Sequence, residues 1–300
     1  MQRTVVIGGG TGFIGRSLCV AVEKLGYKAV SVSRNSGDRR NVITWEEIKK
    51  NGLPNDTVAV INLAGEPVLN PMKRWNKTFE DEIYKSRINT TRLLKNSVVE
   101  AEKRPKLWAT TSAIGFYPCD KTRQYDEDSI PETKDYWSKF VSAWEDASVL
   151  PDDVKGVRHC IVRTGIVLGK NGGVIQNLKP SYWLGFGGPI SDGKQYFPWI
   201  HIDDIVGIFT HILTNDDVIG VLNGVAPAIT TNKEFSQCFA SNLNRPAILC
   251  LPAIAVNAIF GSVRASMLLE GQCVTPKRTL RTGYKFIYPQ LDDALKQIVS

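Results

Sequence analysis

A short apolar run that breaks into glycines and then resumes opens the chain, where residues 4–15 read TVVIGGGTGFIG. The run predicts a buried strand over Thr4–Gly8 and a helix over Phe13–Leu25. Gly10-x-Gly12-x-x-Gly15 and the overlapping Gly9-x-x-Gly12-x-x-Gly15 allow a tight turn, close approach of a pyrophosphate, and close packing of helix on strand. Glycine loops also make ordinary turns, but a strand before and a helix after favour a nucleotide-binding site at a helix N-terminus.

Composition sets the remaining bounds. The 300 residues are 43% hydrophobic and 22% charged, which is typical of a globular protein. No apolar stretch approaches the ~20 residues needed to span a bilayer. The first strand starts almost at Met1, so a cleavable leader would cut into the fold. We therefore expect a soluble, intracellular, cytoplasmic protein with no membrane partner.

Charge and cysteine usage exclude other classes of site. The net charge of +7 suits an anionic ligand, but it is modest for this length and equally suits a solvated basic surface. The basic residues are dispersed without interleaved aromatics, which argues against a nucleic-acid partner. Six scattered cysteines without a CxxC, together with only three histidines, argue against a metal site.

Strands and helices alternate through the first half of the chain. Predicted strands follow the opening unit at Lys28–Ser33, Val42–Trp45, Thr57–Leu63, Lys106–Ser112 and Val157–Thr164. Predicted helices cover residues 76–100, Tyr136–Val149 and Asp203–Thr214. This alternation predicts an α/β fold, a Rossmann-like doubly wound parallel sheet with a smaller C-terminal lobe.

Composition changes after Gly169. Residues 170–200 are rich in glycine and aromatics and are predicted to be mostly loop, and residues 246–300 to be a helical tail. We expect a nucleotide-binding domain over 1–165, with its sheet completed by parts of 200–230. A smaller substrate-side lobe would cover 166–300 and place the ligand between the two.

The end of the second strand predicts which nucleotide binds. NAD-binding proteins place a carboxylate there, whereas NADP-binding proteins place an arginine near the 2′-phosphate. Here the strand ends in Ser33-Arg34, with Arg39 and Arg40 close behind and Asp38 as the only nearby acid. This pattern favours NADP over NAD, although solvated arginines would give the same sequence.

Arg87 is the second informative cation. It falls on the inward stripe of its helix with Ile83, Leu94 and Val98. A charge that faces inward needs a partner, which is either a structural carboxylate or an anionic cofactor.

Several motifs together identify a family. GGGTGFIG (8–15), NLAGE (62–66), SRINTT (86–91), VRTGIVLG (162–169), PWIHIDD (198–204) and residues 271–289 carry the likeness. The chain resembles the atypical short-chain dehydrogenase/reductases that are sugar-nucleotide-epimerase-like, in the NADP-binding epimerase-family group with a C-terminal domain of unknown function. The match covers nearly the whole chain.

The resemblance implies where NADP lies. The cofactor would run along Gly9, Thr11, Gly12, Phe13 and Ile14, then Ser33 and Arg34, and then Leu63 and Ala64. Glu82 and Arg87 would reach toward it, and Val167 would lie near the nicotinamide. Glu82 and Val167 rest on the resemblance, whereas Arg34 and Arg87 are also supported by the residue patterns.

The proton-transfer residues are less complete. Standard members of this superfamily use a serine and a tyrosine with a lysine four residues later, which lowers the tyrosine pKa. Ser112 matches the serine position, although it could equally bond to backbone. On the expected helix Phe140 stands four residues after Tyr136, and Lys139 stands only three after it. Tyr117 begins a second, proline-containing YxxxK outside that helix, and we keep it only as a catalytic candidate beside Ser112.

Two functions remain open. One is an NADP-dependent oxidoreductase or epimerase with rearranged acid–base groups, for which Gln195, Trp199, His201 and Asp203 are candidate second-lobe residues. The other is a catalytically silent NADP-binding sensor or scaffold. The sequence names no small-molecule substrate, and a homodimer through the helices at 76–100 and 136–149 fits the superfamily.

Overall fold

Seven parallel strands form the central sheet of the computed structural model, which describes residues 3–35, 41–70, 72–130 and 132–300. Their order is β10-β7-β5-β4-β1-β2-β3, and two further pairs, β11-β6 and β8-β9, lie outside the sheet. The strands are β1 Thr4–Gly8, β2 Lys28–Ser33, β3 Val42–Thr44, β4 Thr57–Asn62, β5 Leu107–Ala113, β6 Gln124–Tyr125, β7 Arg158–Thr164, β8 Ile166–Gly169, β9 Trp199–His201, β10 Gly220–Gly224 and β11 Cys273–Val274.

Helices connect the strands and build the second lobe. They are α1 Phe13–Lys24, α2 Trp45–Asn51, α3 Lys77–Tyr84, α4 Thr90–Glu100, α5 Tyr136–Asp146, α6 Gly173–Trp183, α7 Ile202–Thr214, α8 Asn232–Asn242, α9 Ala253–Phe260, α10 Ser262–Leu269, α11 Lys277–Arg281 and α12 Leu291–Val299. A π-helical turn, Lys85–Asn89, joins α3 to α4, and a 3₁₀ turn, Ile114–Phe116, follows β5.

Local sequence signals explain where several helices begin. Thr44 and Glu47 form a reciprocal capping box at α2, and Thr231 and Glu234 do the same at α8. Asp135 caps α5 by accepting a hydrogen bond from the Ser138 N–H at 2.7 Å. Each cap satisfies backbone donors that the first helical turn leaves without partners.

Two apolar layers cover the sheet. On one face α1 and α7 pack on inward residues of β1, β4, β5 and β7, with Leu18 and Phe209 fully buried. On the other face α2 and α4 bury Trp108, whose indole N–H donates to the Ser148 carbonyl oxygen at 2.8 Å. These parallel strands are covered on both sides, which explains why they read as continuous apolar runs.

A separate core belongs to the later residues. Helices α6, α8 and α12 pack around β8 and β9 and bury Phe235, Phe239 and Leu295. Strand β10 pairs in parallel with β7, so residues 220–224 complete the main sheet. The predicted domain boundary near residue 165 stays a prediction, although this second core lies beyond it.

The sheet reverses its order of strands between β1 and β4. Gly8 pairs with Asn62 at this position, where the connections leave in opposite directions. Open α/β sheets bind ligands in the crevice beyond the carboxyl ends of the strands at such a point. The glycine motif is therefore placed at the expected crevice.

Some element predictions were wrong. Trp45 begins α2 instead of ending β3, and residues 170–200 contain the eleven-residue helix α6 in a segment predicted to be loop. The helix predicted over 76–100 is interrupted by the π-helical turn that contains Arg87. Asp38, Arg39 and Arg40 lie outside the described residues.

Candidate nucleotide site

The glycine turn after β1 is closed by its own backbone. Gly9 has a φ of +73°, which favours glycine, and its N–H donates to the Val32 carbonyl oxygen at 2.9 Å. The Gly12 N–H donates to the Gly9 carbonyl oxygen at 2.9 Å. The turn is therefore held against β2, the strand predicted to end in the cofactor-selective residues.

Two glycine positions have no room for a side chain. A Cβ on Gly15 would lie 2.3 Å from the Gly9 carbonyl oxygen, and a Cβ on Gly9 would lie 2.9 Å from the Ala64 nitrogen. The first contact shows why α1 can pack on the turn. The second shows how closely the turn approaches the Leu63-Ala64 backbone that follows β4.

The ends of β1 and β4 are joined by hydrogen bonds. The Leu63 N–H donates to the Gly8 carbonyl oxygen at 2.8 Å, and the Ala64 N–H donates to Asn62 Oδ1 at 3.1 Å. Asn62 is completely buried and donates in turn to Thr91 Oγ1 at 2.9 Å. This arrangement presents the backbone of Leu63 and Ala64 at the crevice.

Helix α1 begins at the crevice with an uncapped N-terminus. Gly12 is its N-cap residue, and no side chain bonds to this end within the described residues. The first-turn N–H groups, including those of Phe13 and Ile14, have no acceptor within the helix. A Cβ on Gly172 would lie 2.5 Å from Phe13 Cδ2, so the Phe13 ring packs on the turn that precedes α6.

The predicted adenosine side of the site is assembled from β2. Ser33 Oγ lies 3.3 Å from Thr11 Oγ1, and this contact joins the end of β2 to the glycine turn. The Arg34 side chain is 85% exposed, and its Nη1 lies 3.6 Å from Glu66 Oε2. A guanidinium so exposed and so loosely paired can turn toward a phosphate at low cost.

Arg87 points into the same region. Its Nη1 donates to the Glu66 carbonyl oxygen at 2.8 Å, and its guanidinium carbon lies 5.4 Å from the Trp144 ring centroid. Among the described residues none of the ion pairs includes Arg87. Burial lowers its pKa to about 10, so the side chain still carries its charge at neutral pH. The Glu66 carboxylate partly offsets this lowering of the pKa but forms no ion pair with Arg87 within the described residues, so the guanidinium stays available to an anionic ligand.

Glu66 and Lys73 were missed by the sequence analysis. Lys73 Nζ lies 3.2 Å from Glu66 Oε1 and 2.7 Å from Glu82 Oε2, so it bridges the two carboxylates. Glu66 was noticed only as the last letter of NLAGE, and nothing local to Lys73 signals its position. The predicted residue Glu82 therefore lies in a charged cluster with Glu66 and Lys73 beside Arg34 and Arg87.

Val167 lies in β8, which pairs with β9 through Val167 and Ile200. Its side chain packs against the same core as Ile14 and Leu63. The structure therefore brings Val167 to the side of the sheet where the glycine turn and the end of β4 lie.

The predicted catalytic serine is sealed in the interior. Ser112 is 3% exposed, and its Oγ donates to Glu145 Oε1 at 2.6 Å. Glu145 is also held by Arg163, whose Nε and Nη2 each lie 2.8 Å from one carboxylate oxygen. The serine partner is thus a buried ion pair and not the backbone.

Tyr117 belongs to the same buried network. Its hydroxyl accepts from Arg163 Nη1 at 3.0 Å and lies 2.9 Å from Asn223 Oδ1 and 3.0 Å from the Asp126 carbonyl oxygen. Tyr117 is 1% exposed, and burial raises its pKa. The Tyr117 hydroxyl is therefore engaged by three internal groups.

The helix that carries the tyrosine and lysine in standard members is rearranged. The Tyr136 hydroxyl donates to Glu80 Oε1 at 2.8 Å, and burial together with this carboxylate raises its pKa. Lys139 is exposed and three residues further along. No lysine therefore lowers the tyrosine pKa here in the way that the standard mechanism requires.

Three of the four second-lobe candidates, Gln195, Trp199 and His201, are held by internal hydrogen bonds, whereas the Asp203 side chain is exposed. Trp199 Nε1 donates to Thr230 Oγ1 at 3.0 Å, and Gln195 Nε2 donates to the Leu268 carbonyl oxygen at 2.9 Å. His201 is completely buried, and its Nδ1 accepts from the Asp203 N–H at 3.1 Å, so it caps α7. Burial lowers the His201 pKa, so the ring is neutral. These side chains do not converge on a polar cleft.

Comparison with known proteins identifies the family of the chain. The sequence model of the NAD dependent epimerase/dehydratase family matches residues 5–223. The chain belongs to this family. A second model, a domain of unknown function (DUF1731), matches residues 251–298. The family resemblance predicted from the motifs is therefore confirmed, including the C-terminal domain.

Relatives extend over the whole chain. Human epimerase family protein SDR39U1 is 47% identical over 296 residues, covering 99% of each chain. The Arabidopsis thaliana protein "Epimerase family protein SDR39U1 homolog, chloroplastic" is 35% identical, over 99% of this chain and 87% of its own. The Mycobacterium bovis epimerase family protein Mb2239 is 31% identical, over 98% of this chain and 97% of its own.

Solved structures share the fold. A crystal structure of human SDR39U1 (isoform 2) with NADPH superposes with a TM-score of 0.95 at 47% identity, covering 98% of each chain. A UDP-N-acetylglucosamine 4-epimerase from Bacillus cereus superposes at 0.75 with 17% identity over 99% of this chain and 98% of its own, which shows the fold alone. The predicted Rossmann-like sheet is confirmed, and the predicted NADP agrees with the human complex. Within the described residues, no helix has both the length and the apolarity to cross a bilayer.

Proposed function

We propose that this chain binds NADPH in the crevice between β1 and β4. The observation that carries the proposal is the glycine turn, closed against Ala64 and opening onto the uncapped N-terminus of α1. A Cβ at Gly9 or Gly15 would clash with backbone atoms, so the turn accepts only glycine there. The backbone can then approach a pyrophosphate closely. The NADPH complex of the human relative supports the same cofactor.

Each predicted residue then has a role in binding. The first-turn N–H groups of α1 hold the pyrophosphate, and Ser33 and Arg34 hold the 2′-phosphate. Arg87 supplies a second positive charge from the partly buried side of the crevice. Leu63 and Ala64 present backbone to the middle of the cofactor. Glu82 and Val167 complete the set that the family resemblance implies.

NADPH supplies a hydride when it is bound, but the chain's own acid–base groups decide whether that hydride is used. An NADP-dependent oxidoreductase or epimerase would need a proton donor other than Ser112 or Tyr117, because both hydroxyls are committed to the Glu145–Arg163 network. Thr111 Oγ1 and Thr164 Oγ1 lie 3.0 Å apart at neighbouring strand ends. They are half-buried and therefore less enclosed than Ser112, although each also donates to a backbone carbonyl oxygen at 3.2 Å.

A catalytically silent NADPH-binding sensor or scaffold is the second candidate. The sealed Ser112 and the pairing of Tyr136 with Glu80 favour it, because the standard proton-transfer groups are all engaged elsewhere. The substrate class of the first candidate stays open.

Cofactor titration tests the binding proposal. Tryptophan fluorescence should show NADPH binding at least about tenfold more tightly than NADH, as expected for one charge-assisted phosphate contact. Arg34→Ala should remove this preference. Arg104→Ala, at an exposed position four residues beyond the end of α4, is the matched control and should preserve it. Equal affinity of the wild type for both cofactors would contradict the choice of NADP, and no binding of either would overturn the whole proposal.

Turnover separates the two candidates. NADPH oxidation should be followed at 340 nm with carbonyl compounds and sugar nucleotides under single-turnover conditions. Oxidation that survives in Ser112→Ala and is lost in Thr111→Val would support an enzyme with rearranged groups. Tight NADPH binding with no oxidation across the set would support the silent protein.

A cytoplasmic location and a homodimer stay proposals beside these functions. The Trp137 indole N–H donates to the Val263 carbonyl oxygen at 2.8 Å, so α10 covers part of α5, one of the two helices of the proposed dimer face. Light scattering after size exclusion, with an exposed residue of α4 such as Arg92 changed to Glu, tests whether the remaining face still pairs.

A further inference from the structure

Six large apolar side chains are exposed on two segments of the second lobe, the end of α6 and the stretch before α9. They are Trp183 (57% exposed), Leu184 (62%), Phe186 (65%), Ile248 (77%), Leu249 (48%) and Leu251 (37%). We refer to these six as the lobe patch. Single exposed apolar residues are ordinary, but six neighbouring ones that include two aromatic side chains form the kind of patch that marks an interaction surface.

Backbone pairing makes the lobe patch continuous. The Leu249 N–H donates to the Gly187 carbonyl oxygen at 3.3 Å, and the Leu251 N–H donates to the Pro189 carbonyl oxygen at 3.0 Å. Arg245 Nε donates to the Trp183 carbonyl oxygen at 2.8 Å. The end of α6 and the segment before α9 therefore lie side by side and present their apolar side chains together.

Helix α9 extends the apolar character of this region. Its sequence AIAVNAIF contains no charge, only Val256 is buried, and Ile254 is 84% exposed. A surface helix normally carries a polar outer face. Eight residues span only about 12 Å, less than half of a bilayer core, so α9 can lie on a membrane but not cross it.

Positive charges outnumber negative charges around the lobe patch. Residues 170–191 and 235–269 contain no aspartate or glutamate. Arg245 borders the lobe patch, and exposed Lys194 and Lys233 lie on the adjoining turn, where the Lys233 N–H donates to the Gly193 carbonyl oxygen at 2.9 Å. Two exposed acids adjoin these lysines: Asp192 lies 3.8 Å from Lys194 Nζ, and Glu234 follows Lys233. The surface is therefore apolar with a border in which cations are in excess.

We propose that the lobe patch docks on an anionic membrane surface. Aromatic and aliphatic side chains bordered by lysine and arginine match the interfacial region of a bilayer with anionic headgroups. A second copy of the chain fits less well, because a two-fold contact would bring this cationic border against itself. The expectation of no membrane partner rested on the lack of a spanning segment, which a surface contact does not require. This proposal is independent of NADPH binding.

Vesicle flotation of the full chain tests the proposal. Wild-type protein should float with vesicles of phosphatidylcholine containing about 30 mol% phosphatidylserine, and less with phosphatidylcholine alone. Trp183→Ser with Phe186→Ser should weaken binding by at least about tenfold. Ile219→Ser with Ile287→Ser, which removes two equally exposed apolar residues elsewhere, is the matched control and should bind as wild type.

NADPH affinity, measured for every variant, reports that the chain is folded. Three results would overturn the proposal. They are a wild type that stays off the phosphatidylserine vesicles, a Trp183/Phe186 variant that floats as well as wild type, and a wild-type dimer that this variant converts to a monomer.

Discussion

Removing the Ser112 hydroxyl should destabilise the protein without changing its affinity for NADPH. The hydroxyl donates to the Glu145 carboxylate at 2.6 Å inside the core. In Ser112→Ala this carboxylate keeps both bonds from Arg163, so no buried charge is left without a partner. The expected effect is therefore the loss of one hydrogen bond to a charged group.

The size of the destabilisation follows from the loss of this one hydrogen bond. A hydrogen bond to a charged group contributes about 1.5–3 kcal/mol, so we expect a loss of about 2 kcal/mol in the free energy of unfolding. An entropy of unfolding of about 2.1 cal/mol/K per residue amounts to roughly 0.6 kcal/mol/K for 300 residues. The melting temperature should then fall by about 3 °C.

Urea unfolding followed by tryptophan fluorescence measures the change. Ser142→Ala, on helix α5 that also carries Glu145, is the matched control. The Ser142 Oγ is buried without a hydrogen-bond partner among the described residues. Its removal should leave stability unchanged or slightly raised. Glu145→Gln should cost more than Ser112→Ala, about 3–5 kcal/mol, because it leaves the buried Arg163 charge uncompensated.

Two results would refute the reasoning about Ser112. If Ser112→Ala unfolds at the wild-type urea concentration but loses NADPH oxidation that the wild type shows, the serine is catalytic and its bond to Glu145 is not structural. Equal losses of stability in the Ser112 and Ser142 variants would also contradict the argument, because the two hydroxyls differ in having a partner.

Three further outcomes follow from the geometry. Gly15→Ala should abolish NADPH binding, since its Cβ would lie 2.3 Å from a carbonyl oxygen of the glycine turn. Gly26→Ala, with no atom within 4 Å of its Cβ, is the control and should still bind. Tight NADPH binding by the Gly15 variant would refute the role of the glycine turn. Burial lowers the His159 pKa from 6.5 to about 4, so the unfolded state takes up the proton more readily and stability should fall by at most about 3 kcal/mol as the pH drops through this range. His159→Gln should flatten the dependence of stability on pH over this range. Identical urea midpoints of variant and wild type at every pH would contradict this role of His159. Asp204 is fully buried and accepts two tail amides at 2.7 and 2.9 Å, so Asp204→Asn should expose residues 284–300 to limited proteolysis, while exposed Asp203→Asn should not; equal cleavage rates in the two variants would exclude this anchor.

Most of the sheet could be predicted because its signals are local. Strands such as Thr4–Gly8 and Lys28–Ser33 are apolar runs bounded by breaks, and the structure gives these two the predicted ends. The alternation with helices then allows few topologies. Helices α2 and α6 were missed, because α2 is short and polar and α6 contains Gly173 and Pro180, residues that weaken any helical pattern.

Sequence patterns alone sufficed to identify the glycine turn, the strand that ends in Ser33-Arg34 and the inward position of Arg87. Each depends on backbone conformation or side-chain spacing within a few residues, so each is visible in the order of amino acids. The hydrogen-bond partners of the Ser112 and Tyr117 hydroxyls, by contrast, depend on long-range packing. Ser112 meets Glu145 from 33 residues away, and Tyr117 meets Asn223 from 106 residues away. Partners so distant in sequence are chosen by how helices and strands pack, and that packing buries both candidate hydroxyls in internal hydrogen bonds.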